Sequence, residues 1–143
     1  AARRKVTVTL RIPERSIWIE ADRLHLRRLF FNIISNALNV SPAGGRLELS
    51  ASVEGAGLVA AVADQGPGIA PEVLPRIFER FFCVDHDQPG TGLGLHIAQT
   101  IARMHGGEIL VESHPGQGAV FFVHLPLSPA GDPPPDERNI ILS

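Results

Sequence analysis

The 143-residue sequence predicts a two-layer α/β sandwich, a mixed sheet covered on one face by about three helices. Three observations lead there. Short runs such as Val6, Val8 and Leu10 alternate apolar with polar residues, the period of a half-buried strand. Two longer segments, near 22–40 and 93–104, repeat apolar residues every three or four positions, as a helix does. The strand-like runs come in pairs separated by these helical segments.

The first strand spans Lys5 to Ile12 and, after Pro13-Glu14-Arg15, a second alternates from Ser16 to Glu20; the two are expected to pair. Asp22 is a good N-cap for a helix whose apolar face carries Leu26, Phe30, Ile33, Ala37 and Val40. Ser41-Pro42-Ala43-Gly44-Gly45 stops it. Arg46 to Val53 and Leu58 to Ala63 flank Glu54-Gly55-Ala56-Gly57, a hairpin signature, and the second of these strands is apolar throughout and so expected to be central. Pro71 suits the first turn of a short helix ending near Phe82. A polar loop from Cys83 to Pro89 leads to Gly90-Thr91-Gly92-Leu93-Gly94-Leu95 and a helix with apolar Leu93, Ile97, Ile101 and Met104, closed by Gly106-Gly107. Strands at Glu108 to Ser113 and Ala119 to Leu125 follow, joined by His114 to Gly118. This gives one domain over residues 1–127 and a tail or linker over 128–143, rich in proline at Pro133-Pro134-Pro135, although Asn139-Ile140-Ile141-Leu142 could begin another strand.

Composition narrows the function classes. With 44% hydrophobic and 20% charged residues the chain is an ordinary globular domain, and a formal charge of −2 gives no basic field for nucleic acid. Lys5 is the only lysine, so a phosphate-binding lysine is nearly ruled out, and the single Cys83 fits a reducing compartment. No run approaches the roughly 18 apolar residues of a membrane span. The chain opens at Ala1 in a strand-like run and reads as a piece of a longer protein.

Asn32, Asn36 and Asn39 conflict with helix propensity. At 3.6 residues per turn, Asn36 lies about 40° to one side of Asn32 and Asn39 about 20° to the other, so the three share a stripe. A carboxamide offers oxygen to a hard cation and N–H to phosphate, which points to a metal and nucleotide site; a solvated helix face is the bland alternative. Asp64-Gln65-Gly66-Pro67-Gly68 ends an apolar strand, and a carboxylate held there can accept a hydrogen bond from the exocyclic amine of adenine. Alone, the motif is weak, and an ordinary turn after a strand is the better reading of it. Gly90 to Leu95 opens a helix, whose first turn offers N–H groups to phosphate, yet it has neither the lysine of a P-loop nor the register of a dinucleotide fingerprint. Ile77, Phe78, Phe81 and Phe82 form a stripe that is either core or a seat for a partner helix.

In this order, the elements resemble the ATP-binding catalytic domain of sensor histidine kinases, within the GHKL (Bergerat-fold) superfamily of gyrase, heat-shock chaperone, kinase and MutL ATPases. Asn32-Ile33-Ile34-Ser35-Asn36-Ala37 looks like the N box, Asp64 to Gly68 the first glycine box, Ile77 to Phe82 the F box and Gly90 to Leu95 the second glycine box; His105-Gly106-Gly107 and Gly116 to Phe121 match the closing pattern.

The resemblance implies ATP and Mg²⁺ as cofactors. Asn36 would be the metal ligand and Asn32 and Asn39 would share its face; Asp64 would hold the adenine amine, with Gly66, Gly68 and Ile69 shaping the base pocket. Gly90, Thr91, Gly92, Leu93, Gly94 and Leu95 would hold the phosphates under a lid at Cys83 to Pro89. The γ-phosphoryl group would pass to a histidine on a separate dimerisation helix bundle, in contact with Phe78, Phe81 and Phe82, and onward to a response regulator. None of the six histidines here has the acceptor context. The domain is expected to be cytoplasmic and monomeric, in a homodimeric protein that in this family can be anchored in the bacterial inner membrane.

Superfamily members that hydrolyse ATP carry a glutamate four residues before the metal-binding asparagine; Asn32 stands there and cannot act as a base, which favours transfer over hydrolysis. The chain departs from the pattern at Asn39, Val40, Cys83 and Ala119, where the family often has a basic, an aromatic, an arginine and a threonine residue. The lid region carries Asp85 and Asp87 and no Lys or Arg, with His86 an extra donor if protonated. Weak nucleotide binding follows as an expectation, and a degenerate sensing or structural module that transfers nothing is the second reading.

Overall fold

The computed structural model describes residues 7–11, 17–79, 94–127 and 139–142. The main sheet contains β1 (Thr7–Arg11), β3 (Arg46–Glu54), β4 (Gly57–Ala63), β5 (Glu108–Ser113) and β6 (Ala119–Pro126), in the order β1-β3-β4-β6-β5. β1 lies parallel to β3 and the other pairs are antiparallel, so the sheet is mixed as expected. The apolar run of β4 takes the central place.

Among the described residues two α-helices cover one face: α1 (Arg23–Val40) and α2 (Gly94–Met104). Alternate burial along β4 and β6 turns Leu58, Ala60 and Val62 and Phe121, Val123 and Leu125 into the core. They meet Leu26, Leu29, Ile33 and Ala37 of α1 and Ala98, Ile101 and Ala102 of α2. No described helix is long and apolar enough to cross a membrane.

Local chemistry sets the helix ends. Asp22 Oδ1 accepts from His25 N–H at 3.1 Å, and that bond holds the carboxyl below its ordinary value. Ser41 ends α1 by donating its hydroxyl to Ala37 O at 2.7 Å. α2 ends in a Schellman motif: Gly107 N–H donates to Ala102 O, Gly106 N–H to Arg103 O, and Gly106 adopts φ 79°.

Several expectations change. β1 does not pair with the following strand β2 (Ile17–Glu20); α1 instead carries the chain over the sheet so that β3 returns parallel to β1. β2 is antiparallel to β7 (Asn139–Leu142), so part of the expected linker is a strand, consistent with the β propensity of Ile140-Ile141. The expected helix from Pro71 is a series of turns with a 3-10 segment at Leu74–Arg76, and its end at Phe82 lies outside the described residues. On α1, Leu29 is fully buried while Phe30 and Val40 are only half-buried. On α2, Met104 is 63% exposed and Gln99 is buried. Gln99 imitates a backbone unit, donating to Ile109 O at 3.1 Å and accepting from Ile109 N–H at 2.9 Å, which fastens α2 to β5.

Candidate functional site

Asp64 sits where β4 leaves the sheet. Its backbone N–H donates to Ala119 O at 2.9 Å, while its Oδ1 accepts from Gly66 N–H at 2.8 Å and Ala119 N–H at 3.2 Å. Oδ2 is buried and has no hydrogen-bond partner among the described residues. An orphaned carboxylate oxygen in a residue only 7% exposed is costly, and burial accordingly pushes the Asp64 carboxyl up from its ordinary value against the two N–H bonds that favour the ionised form. The oxygen is an acceptor awaiting a donor.

The loop after Asp64 is held from two sides. A Cβ on Gly66 would stand 2.8 Å from Val40 O, so only glycine lets this strand end lie against the C-terminal turn of α1. Gly68 has φ 79°, as the turn at Pro67-Gly68 requires, and its backbone presses on the carbonyl of His114. Gly116 N–H donates to Pro67 O at 2.6 Å. Ile69 N–H donates to Ser113 Oγ at 2.7 Å, and that hydroxyl donates on to Gly118 O at 2.8 Å. Sequence reasoning missed Ser113, although a polar residue at the inward parity of Ile109 and Val111 signals it.

The asparagine stripe is distributed unequally. Asn32 Nδ2 donates to Gly94 O at 3.2 Å, joining the middle of α1 to the first residue of α2. Asn36 is half-buried and Asn39 is exposed. One helix face thus runs from the start of α2 toward the loop that carries Asp64. Leu95 is half-buried and packs against the core. Gly90, Thr91, Gly92 and Leu93, the lid at Cys83 to Pro89 with His86, and Phe81 and Phe82 lie outside the described residues. Phe78 is half-buried, edge-on to Phe121 with ring centroids 6.3 Å apart, so it packs inward against the sheet.

No group of three or more His, Cys, Asp or Glu side chains that could hold a metal occurs among the described residues. The expected metal ligand, Asn36, is a neutral amide, which suits a cation whose other ligands come from phosphate.

Residues 21–129 match the family model of histidine kinase-, DNA gyrase B-, and HSP90-like ATPases. The chain belongs to this family. It is 40% identical over 124 residues to the alginate biosynthesis sensor protein KinB of Pseudomonas aeruginosa, covering 87% of this chain and 21% of that protein. It is 37% identical over 119 residues to the histidine protein kinase DivJ of Caulobacter vibrioides, covering 81% of this chain and 20% of the relative. The chain spans about a fifth of the length of these curated relatives. Among solved structures, the mycobacterial sensor histidine kinase MprB superposes with a TM-score of 0.75 at 30% identity, covering 87% of this chain and 83% of that one. Full-length ShkA in complex with AMPPNP matches with a TM-score of 0.72 at 30% identity, covering 89% of this chain and 27% of that one. Within the family, this chain keeps the α/β architecture that its boxes implied.

Proposed function

We propose that this chain binds ATP with Mg²⁺ and, in the full protein, serves transfer of the γ-phosphoryl group to a histidine on a separate dimerisation helix bundle, ahead of a response regulator. The observation that carries the reading is the buried, unpartnered Oδ2 of Asp64. An adenine amine supplies the missing donor, whereas a guanine would turn a carbonyl oxygen toward it. Gly66, Gly68 and Ile69 then form the wall of the base pocket. Asn36 would hold Mg²⁺, and Asn32, through Gly94, would keep the amino end of α2 in line with the phosphates; Asn39 and Gly90 to Leu95 would complete the cradle.

When bound, Mg²⁺ neutralises phosphate charge and aligns the transferred group. The protein's own part is positioning: Asp64 fixes the base, the α1–α2 junction fixes the phosphate end, and a carboxamide at Asn32 leaves water without a base. The nucleotide-binding unit would be residues 1–127, with 128–143 a tail whose β7 closes on β2. The relatives named as sensor kinases support this reading.

Calorimetric titration of the chain with ATP and GTP, each with Mg²⁺, tests it. The expected result is weak but measurable ATP binding and at least about 100-fold poorer GTP binding, since an unpaired buried acceptor discriminates strongly. Equal affinity for the two nucleotides would remove Asp64 from the base pocket.

A further inference from the structure

Beyond nucleotide binding, α1 carries a second surface. Leu24 is 71% exposed, Phe31 67% and Leu38 36%, and they stand seven residues apart on the side of the helix opposite Leu26, Leu29, Ile33 and Ala37. Seven residues are nearly two turns, so the three side chains form one stripe about 21 Å long on the solvent face. The asparagines lie about 100° around the helix, so the stripe is separate from the nucleotide face.

The charges beside the stripe are all of one sign. Arg27 and Arg28 are exposed on its two flanks and Arg23 lies one turn before them, while α1 contains no Asp or Glu. None of the three arginines has an ion pair among the described residues. Arg23 occupies the first turn of α1, where the helix dipole favours anions, so its placement opposes the stability of the isolated helix. Apolar residues at heptad spacing with exposed cations on both flanks complement one kind of partner.

We propose that the outer face of α1 docks an amphipathic helix of a separate partner protein, one that presents apolar side chains every seven residues between flanking carboxylates. Phe31 is the central anchor, filling the space between two turns of the partner, and Arg27 and Arg28 set its charge preference. The partner's carboxylates also meet the positive end of α1, so docking relieves the conflict between Arg23 and the dipole.

The test uses two synthetic three-heptad peptides that share leucines at every seventh position, one flanked by glutamates and the other by lysines. Each is titrated into the 143-residue chain at low ionic strength and followed by fluorescence anisotropy. The glutamate peptide should bind saturably and the lysine peptide at least about tenfold more weakly. Phe31→Ala should weaken the glutamate peptide by about tenfold or more, and the pair Arg27→Glu, Arg28→Glu should reverse the preference. The circular dichroism and thermal transition of each variant verify that it is folded, and Arg27→Gln, Arg28→Gln provides a milder charge change if the reversal does not fold. Equal binding of the two peptides, or binding indifferent to Phe31→Ala, would overturn the proposal. So would concentration-dependent dimerisation abolished by Phe31→Ala, which would give the stripe to a second copy of the chain.

Discussion

Replacing Asp64 by Asn should separate stability from binding, because the two oxygens of this carboxylate have opposite histories. Oδ1 is paid for locally, with N–H donors from Gly66 and Ala119 at 2.8 and 3.2 Å, and Asn Oδ1 can keep both. Oδ2 is buried without a partner, a defect that costs the unliganded protein about 1–3 kcal/mol. Asn removes the buried charge and turns an NH₂ donor toward the pocket, where it faces the amine of adenine donor to donor. A hydrogen bond to a charged group contributes about 1.5–3 kcal/mol, so ATP binding should weaken by about 10- to 150-fold. The unliganded domain, however, should be no less stable at neutral pH, and a gain of 1 kcal/mol would raise its Tm by roughly 2–8 °C.

The pH dependence carries a sign. Burial raises the folded-state value of Asp64 above its unfolded value of 3.8, so between the two values the native state holds a proton that the unfolded chain has released. Wild-type stability therefore falls as pH rises through that window, and Asp64→Asn removes this slope. The variant's stability relative to wild type should increase as pH climbs above 3.8 and level off once the folded carboxyl is ionised. Thermal melts across pH, paired with calorimetry using Mg²⁺ and ATP, measure both. A variant that melts much lower yet binds ATP normally, or a relative stability that shrinks as pH rises, would refute the assignment of Oδ2 as the base acceptor.

Gly118→Ala should destabilise by about 2–5 kcal/mol, because Gly118 has φ 80° and a Cβ there would collide with the Asp64 carbonyl; chemical denaturation measures it, and a loss under 1 kcal/mol would contradict the close packing described. His105 accepts from Asp22 N–H at Nε2 (3.0 Å) and donates through Nδ1 to Ile101 O (2.8 Å), which ties the start of α1 to the end of α2. His105→Ala should cost about 1–3 kcal/mol of stability at neutral pH, with His105→Gln restoring part of it through an oxygen that can accept from Asp22 N–H; equal melts for the two variants would remove the Nε2 bond from the account.

Much of this was legible in the sequence where local chemistry decides. The unbroken apolar run of β4 announced a central strand, and Gly106-Gly107 and Asp22 marked helix ends that the hydrogen bonds bear out. What was not legible depends on partners distant in the chain. The alternation in β1 says that one side is buried but not which strand lies beside it, and the pairing of β2 with β7 joins residues more than a hundred positions apart. Periodicity favoured Met104 over Gln99 because it scores hydrophobicity, and it cannot see that the Gln99 amide is satisfied by Ile109. In the site, glycine spacing revealed the turn at Gly68, yet the orphaned oxygen of Asp64 appears only once Ala119 and Gly66 are in place to satisfy the other one.

The central claim is that this fold positions ATP for transfer to a histidine. Its most direct measurement is incubation of the full-length protein with γ-labelled ATP and Mg²⁺, followed by acid and alkali treatment and mapping of the label. The account predicts an acid-labile, alkali-stable phosphate on a histidine outside these 143 residues, lost in Asp64→Asn. Brisk phosphate release by the isolated chain with no labelled histidine in the full protein would contradict it.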